Sequence, residues 1–452
     1  MDSLKYIATL CIYFILLVTV GVYIARKKPD FDGYFFGRRK LGTFLIFFTV
    51  TAAWFGAAST LATIEAAYKS GFQAVWLLGI PTIITVLIFI LVNNKIREVH
   101  FVSLPVLLGK YYGKGVSRFA TFLIFFYMIL LAASQFVAWG KFISTFLGYP
   151  YEITIIIGAL TVILYSYLGG YFSIALTDGI QFILIALSLT YLMVFFSHST
   201  PVFKPGDFHL FSNPSYHILM TISFILAWTI SPIIWQRIAS AKSARASRYG
   251  LVFSVFSFLV LYYMVIRIGI YLRSTPGAPG ENFFGSFIHH WLPVEGSLLV
   301  FLGIAAAIMS TADTAINIAS LTLVKDVLPI KHTTRSVFWG RLSTFFSGIL
   351  AALIALRFDS IIKTLGLASE IMAEGLFIPG MYLLFFKKKR PLAALLSLIF
   401  GGGFSLLVFL NAYGLSLPLP QWPYSLPYGL SLSLIGFFIG FLFQKNSEKI
   451  KK

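Results

Sequence analysis

The chain has 452 residues, 58% of them hydrophobic and 11% charged, with a mean hydropathy of +0.87. A soluble domain carries about a quarter charged residues and cannot hide this much apolar surface in one core, so a water-soluble globule is excluded. The 35 Lys and Arg outnumber the 16 Asp and Glu, and the basic residues sit almost entirely between the apolar runs, which reads as loop charge facing an anionic leaflet and not as a nucleic-acid surface.

Apolar stretches of roughly 20 residues suffice to cross a hydrocarbon core of about 30 Å. In chain order they run over 3–26, 41–70, 72–95, 115–148, 151–170, 172–198, 214–240, 248–273, 294–326, 334–357, 360–386, 391–413 and 425–444. The fold class is therefore an all-α polytopic membrane protein of about thirteen transmembrane helices. The single cysteine, Cys11, lies inside the first run, so no disulfide or zinc framework can form. Met1, Asp2 and Ser3 supply no positive n-region, so the first span is expected to be retained.

Two spans carry helix-breaking chemistry. The second contains TAAWFGAAST from Thr51 to Thr60, with Gly56 near its middle. The seventh contains WTISPIIWQR from Trp228 to Arg237, where Pro232 lacks a backbone donor and disfavours helix at Ser231. These two spans run in opposite directions across the membrane, as a five-plus-five inverted repeat with a broken first helix in each half requires. Gly and Pro also kink membrane helices without functional consequence.

Basic residues sit on alternate connections: Arg26 to Lys40, Lys95 to Arg118, Arg237 to Arg248, Lys325 to Arg341, Lys387 to Arg390, and the tail 445–452; the other connections have almost none, Lys204 being the clearest exception. The positive-inside rule then puts the N-terminus outside and the C-terminus in the cytoplasm, in a multi-pass protein of the cell (inner) membrane.

Charge inside the hydrocarbon needs a reason. Asp178 lies near the start of the sixth span and Asp313 in the middle of the ninth, while Glu65, Glu370 and Glu374 are also intramembrane. Ala307, Ser310 and Thr311 share one face of the ninth span. Two hydroxyls beside a small residue can offer oxygens to a hard monovalent cation when a neighbouring backbone is unwound. The same hydroxyls can instead bond back to their own helix or join helices together.

Several segments together carry a resemblance: FDGYFFGRRKLG from Phe31 to Gly42, YLGG from Tyr167 to Gly170 with Thr177, Asp178 and Gln181, Gln236 and Arg237 with Ser240 to Ser243, and Ala307 to Thr311. In this order and on these spans the chain resembles the sodium:solute symporter family, over essentially its whole length. The resemblance implies a LeuT-like core of ten helices, one extra helix before it and two after it. The implied division is 1–40 for the extra helix and its loop, 41–198 for the first repeat, 199–213 for an external loop, 214–387 for the second repeat and 388–452 for the last two helices and tail. It also implies a sodium (Na+) site made by the carbonyls of Ala52, Phe55 and Ala307 and the hydroxyls of Ser310 and Thr311. Asp178, Asp313 and Thr314, with Ser310, match a second cation site of some members. Asp313 there replaces a hydroxyl, which leaves sodium or a proton as the second ion.

The implied solute pocket lies against the break in the second span, with Trp54, Ser59, Thr60, Gln135, Trp139, Trp228, Ser231 and Trp235 as candidate walls; each aromatic could equally be ordinary packing. The stretch VWLLGIP from Val75 to Pro81 is apolar where sugar-transporting members carry polar groups. The resemblance thus points to sodium-coupled symport of a small amino acid or monocarboxylate, by a monomer in the lipid bilayer. Rival readings are proton-coupled symport and a transporter-like sensory module with a separate signalling partner. An enzyme is not expected: His289 and His290 lack metal-ligand spacing, and no nucleophile motif accompanies Glu370 and Glu374.

Overall fold

The computed structural model describes residues 2–26, 30–99, 102–211, 213–274, 283–327, 334–358 and 360–444. The predicted basic tail 445–452 lies outside the described residues, as do Lys27, Lys28, Lys331 and the Arg335 side chain. The first part of the chain forms α1 (Asp2–Ala25), α2 (Phe31–Phe36), α3 (Thr43–Trp54), α4 (Thr63–Ser70), α5 (Gly79–Glu98), α6 (Leu104–Tyr112), α7 (Lys114–Leu147) and α8 (Tyr151–Phe195). Then come α9 (Pro214–Thr229), α10 (Pro232–Ser240), α11 (Ala244–Tyr271), α12 (Phe283–Trp291), α13 (Val294–Thr322), α14 (Thr334–Ala355) and α15 (Ile361–Phe386). The last helices are α16 (Pro391–Ser397), α17 (Gly403–Ala412) and α18 (Leu426–Phe443).

Among the described residues ten helical stretches are long and apolar enough to cross a membrane. One of them, Tyr151–His198, joins the predicted fifth and sixth spans; another, Ala58–Glu98, joins the latter part of the second to the third. The fifth and sixth spans meet without a loop at Gly170, whose φ of 62° and ψ of −162° break α8. Only glycine takes that backbone readily, and a Cβ there would press on the Tyr34 ring and carbonyl.

Both predicted breaks are present. Helix α3 stops at Trp54, Phe55 takes φ −105° and ψ 55°, and the chain resumes as a wide turn, Ala58–Ala62, that feeds α4. Helix α9 stops at Thr229, Ser231 is extended, and Pro232 opens α10 at a position where its missing N–H costs nothing. The freed Thr229 carbonyl accepts the Trp235 indole N–H at 3.0 Å, so the break leaves it satisfied. The two broken helices meet at one end of the bundle. There Leu41 N–H donates to Ser240 O at 3.1 Å and Lys242 N–H to Leu41 O at 2.9 Å.

Packing sorts centre from rim. The most apolar stretches of Val294–Asp326 and Lys114–Leu147 are 89% and 83% buried, whereas those in α1 and α18 are only 28% buried and turn Ile12, Ile15, Phe438 and Leu442 outward. Helix α13 packs on α7 and α8 and also touches α3 and α10. The most enclosed helix therefore borders both breaks.

At the opposite end of α4, Arg273 donates to the carbonyls of Ala67 and Tyr68 at 3.0 and 2.6 Å and pairs with Asp207. Asp207 also accepts the Lys204 N–H at 2.7 Å and gives its own carbonyl to Phe72 N–H at 3.1 Å. The loop after α8 is thus tied across the C-terminal end of α4.

Candidate functional site

The break in the first half faces two hydroxyls on α13. Ser310 Oγ donates to Ala52 O at 2.8 Å, with Ala307 O 3.0 Å away, and Thr311 Oγ1 donates to Ala53 O at 3.0 Å. Ser310 is fully buried and Thr311 is 6% exposed. Gly56 makes the approach possible, because a Cβ there would strike Thr311 Oγ1 and Gln135 Oε1. Of the five expected ligands, Ala52, Ala307, Ser310 and Thr311 come together through these bonds. Phe55 sits at the turn with its N–H bonded to Thr51 O at 3.0 Å, and the carbonyl that meets Thr311 is that of Ala53. The cluster is built of carbonyl and hydroxyl oxygens, which are hard donors suited to an alkali cation rather than to a soft metal.

One turn further along α13 a charged cluster is fully buried. Asp178 accepts the Thr49 hydroxyl and lies 3.5 Å from the Arg237 guanidinium, which is itself 0% exposed. Arg237 also donates to Thr314 Oγ1 at 2.9 Å, Thr49 O at 3.1 Å and Ile233 O at 3.2 Å. Asp313 accepts the Tyr165 hydroxyl at 2.6 Å. From the extra helix α1, Tyr13 reaches in to accept Gln181 Nε2 at 3.0 Å. Among the described residues Asp178 Oδ1 and Asp313 Oδ1 have no hydrogen-bond partner. The three residues predicted to hold a second cation thus share a cluster in which a side-chain cation already touches two of them. The sequence reading counted Arg237 with the loop charges. Its place is a membrane-buried one on α10, and the signal was available: it lies only five residues after the Pro232 break, inside an apolar run.

Beside the break is a small cavity of ≈ 40 Å³ lined by residues that include Trp54, Gly56, Ser59, Gln135, Trp228 and Thr311. The two indoles lie 5.4 Å apart, and Gln135 Oε1 accepts the Ala57 N–H at 3.0 Å. Ser59 bonds both Trp54 O and the Tyr262 hydroxyl. Four of the eight predicted wall residues therefore line the cavity. The other four do not: Thr60 bonds back to Gly56 O, Trp139 packs against Gly158, Ser231 is buried at the second break, and Trp235 caps Thr229. Tyr127, Leu131, Ile233 and Leu365 also line it. They lack any local motif, so only the packing of α7, α10 and α15 identifies them.

Two broken helices crossed by a buried polar helix are the arrangement that secondary transporters build around a mid-membrane site. The sodium:solute symporter family model matches residues 34–401. The chain is 25% identical to the sodium/glucose cotransporter of Vibrio parahaemolyticus, over 91% of this chain and 86% of that protein. It is 24% identical to the osmoregulated proline transporter OpuE of Bacillus subtilis, over 99% and 96% of the two chains. A solved substrate-bound outward-open state of a Na+-coupled sialic acid symporter matches with a TM-score of 0.80, at 18% identity over 97% of both chains. The chain belongs to the sodium:solute symporter family and is a multi-pass membrane protein.

Proposed function

We propose that the protein couples the inward flow of sodium to the uptake of a small organic solute, an amino acid or a monocarboxylate, by alternating access. The observation that carries this reading is the pair of α13 hydroxyls on the carbonyls of Ala52 and Ala53 at the opened helix. Sodium binding there replaces hydroxyl–carbonyl hydrogen bonds by ion–oxygen contacts and draws the Phe55–Ala57 turn against α13. That fixes the wall carrying Trp54 and Gln135, so sodium favours the solute-ready conformation. Coupling needs only this difference in affinity between states. One charge falling through 100 mV supplies about 2.3 kcal/mol.

Among the described residues no Asp, Glu, Lys, Arg or His lines the cavity, which favours a compact solute whose charge is met by backbone or by the bound ion. Its size suits water-sized groups, so a solute enters only as the walls part. In this reading the chain crosses the cell (inner) membrane about thirteen times as a monomer. The N-terminus is outside and the C-terminus cytoplasmic, with the repeats at 41–198 and 214–387. Arg237 balances Asp178, and the remaining charge of Asp313 is met by a second sodium ion or a proton. The test is uptake of candidate amino acids and monocarboxylates into proteoliposomes under an imposed sodium or proton gradient. Accumulation driven by sodium alone supports the proposal; accumulation driven only by protons overturns the sodium reading.

A further inference from the structure

A second pair of buried carboxyls lies between α15 and the helices that follow it. Glu370 and Glu374, one turn apart on α15, are 1% and 0% exposed. Ser425, at the start of α18, donates its hydroxyl to the Glu370 carboxylate, with oxygens at 2.9 and 2.7 Å. Glu370 therefore sits at the positive end of α18, where an anion is favoured.

Glu374 has no such support: neither carboxyl oxygen has a hydrogen-bond partner among the described residues. The Gly429 Cα, one turn after Ser425, packs against that carboxyl, and a Cβ there would collide with it. A Cβ at Gly401 would collide in turn with the Glu374 main-chain oxygen. The carboxyl thus lies against glycine backbone on the α18 side, with no hydrogen-bond donor on either oxygen among the described residues. Titratable side chains on the packed elements include Tyr127 on α7, Tyr216 and His217 on α9, Tyr428 on α18 and Lys363 on α15. None of them bonds either carboxyl among the described residues, and Lys363 reaches the Ala412 carbonyl instead. An unpaired anion in such surroundings carries a heavy desolvation cost.

We propose that Glu374 is a proton-binding site, distinct from the sodium site, holding its proton as the neutral acid one turn beyond Glu370, which the Ser425 hydroxyl supports at the start of α18. The carboxylate takes the proton from water, and nothing is oxidised or reduced. Proton occupancy then favours docking of α18 on α15, the helix whose Leu365 lines the solute cavity.

The test needs no solute. Full-length protein in detergent is titrated from acid to alkaline pH and followed by infrared difference spectroscopy and thermal unfolding, for wild type, E374Q and E370Q. The expected result is a protonated-carboxyl C=O component at neutral pH in wild type that disappears in E374Q and stays in E370Q, over whatever the other buried carboxyls contribute. The wild-type melting temperature should fall as pH rises from the ordinary Glu value of about 4.3 until the folded protein also gives up the proton, and E374Q should lose most of that fall. A wild-type carboxyl band identical to that of E374Q overturns the proposal. Loss of the Glu374 component on adding sodium or potassium at constant pH also overturns it, since an alkali ion is then the ligand. If E374Q does not fold, wild type grown with carboxyl-labelled glutamate must show part of the band shifted; a wholly unshifted band overturns the proposal.

Discussion

Thr311 and Gly56 meet at the narrowest contact between α13 and the opened helix, and each makes a separate demand on it. Thr311→Ala removes one hydroxyl oxygen while keeping the fold. Its half-saturating sodium concentration for uptake should rise at least about tenfold, a loss of about 1.4 kcal/mol. Gly56→Ala adds a Cβ that would overlap Thr311 Oγ1 and Gln135 Oε1. It should separate the break from α13 and weaken sodium activation without touching a hydroxyl; unchanged sodium activation in both variants would contradict the assignment. The buried pair gives a stability prediction. Asp178→Asn takes from Arg237, at 0% exposure, the carboxylate it pairs with, and removing one partner of such a pair costs about 3–5 kcal/mol. The melting temperature in detergent should drop sharply, whereas a small change would mean that the cluster is well hydrated.

At the scale of elements, the two breaks were legible because Pro, Gly and runs of small residues are local signals. Pro232 forbids continued helix whatever surrounds it, and Gly56 marks a close approach that only a residue without a side chain permits. The junction at Gly170 was legible as a boundary between spans, but not as a joint with no loop. That depends on Tyr34 packing over it. Arg237 was misjudged because charge counting assigns a basic residue to the nearest loop, while its partners Asp178 and Thr314 come from α8 and α13. Trp139 and Trp235 show the converse: their type suggests a solute wall, yet one fills the space left by Gly158 and the other caps a broken helix.

The tie across α4 also belongs to this scale. Burial raises the Asp207 carboxyl, but hydrogen bonds from Arg273 and the Lys204 N–H, with both positive charges, outweigh it and leave the carboxyl below its ordinary value. The unfolded chain therefore binds this proton more tightly than the folded one. The stabilisation is complete above the ordinary Asp value of ~3.9 and is lost as pH falls through the folded value. Wild type should melt higher than Asp207→Asn at neutral pH, and the two should converge on acidification; a gap that persists in acid would contradict the tie.

For the molecule as a whole, sodium is expected to act by joining parts that the sequence keeps far apart. Ala52 and Ser310 are 258 residues apart yet hydrogen-bonded, so an ion placed between them bridges the two halves of the chain. The most direct measurement is equilibrium binding of radioactive sodium to the purified, solute-free protein, for wild type, Ser310→Ala and Thr311→Ala. Saturable binding in wild type that is strongly weakened in both variants is the expected result. Wild-type binding retained by both variants, in folded protein, would show that sodium is held elsewhere.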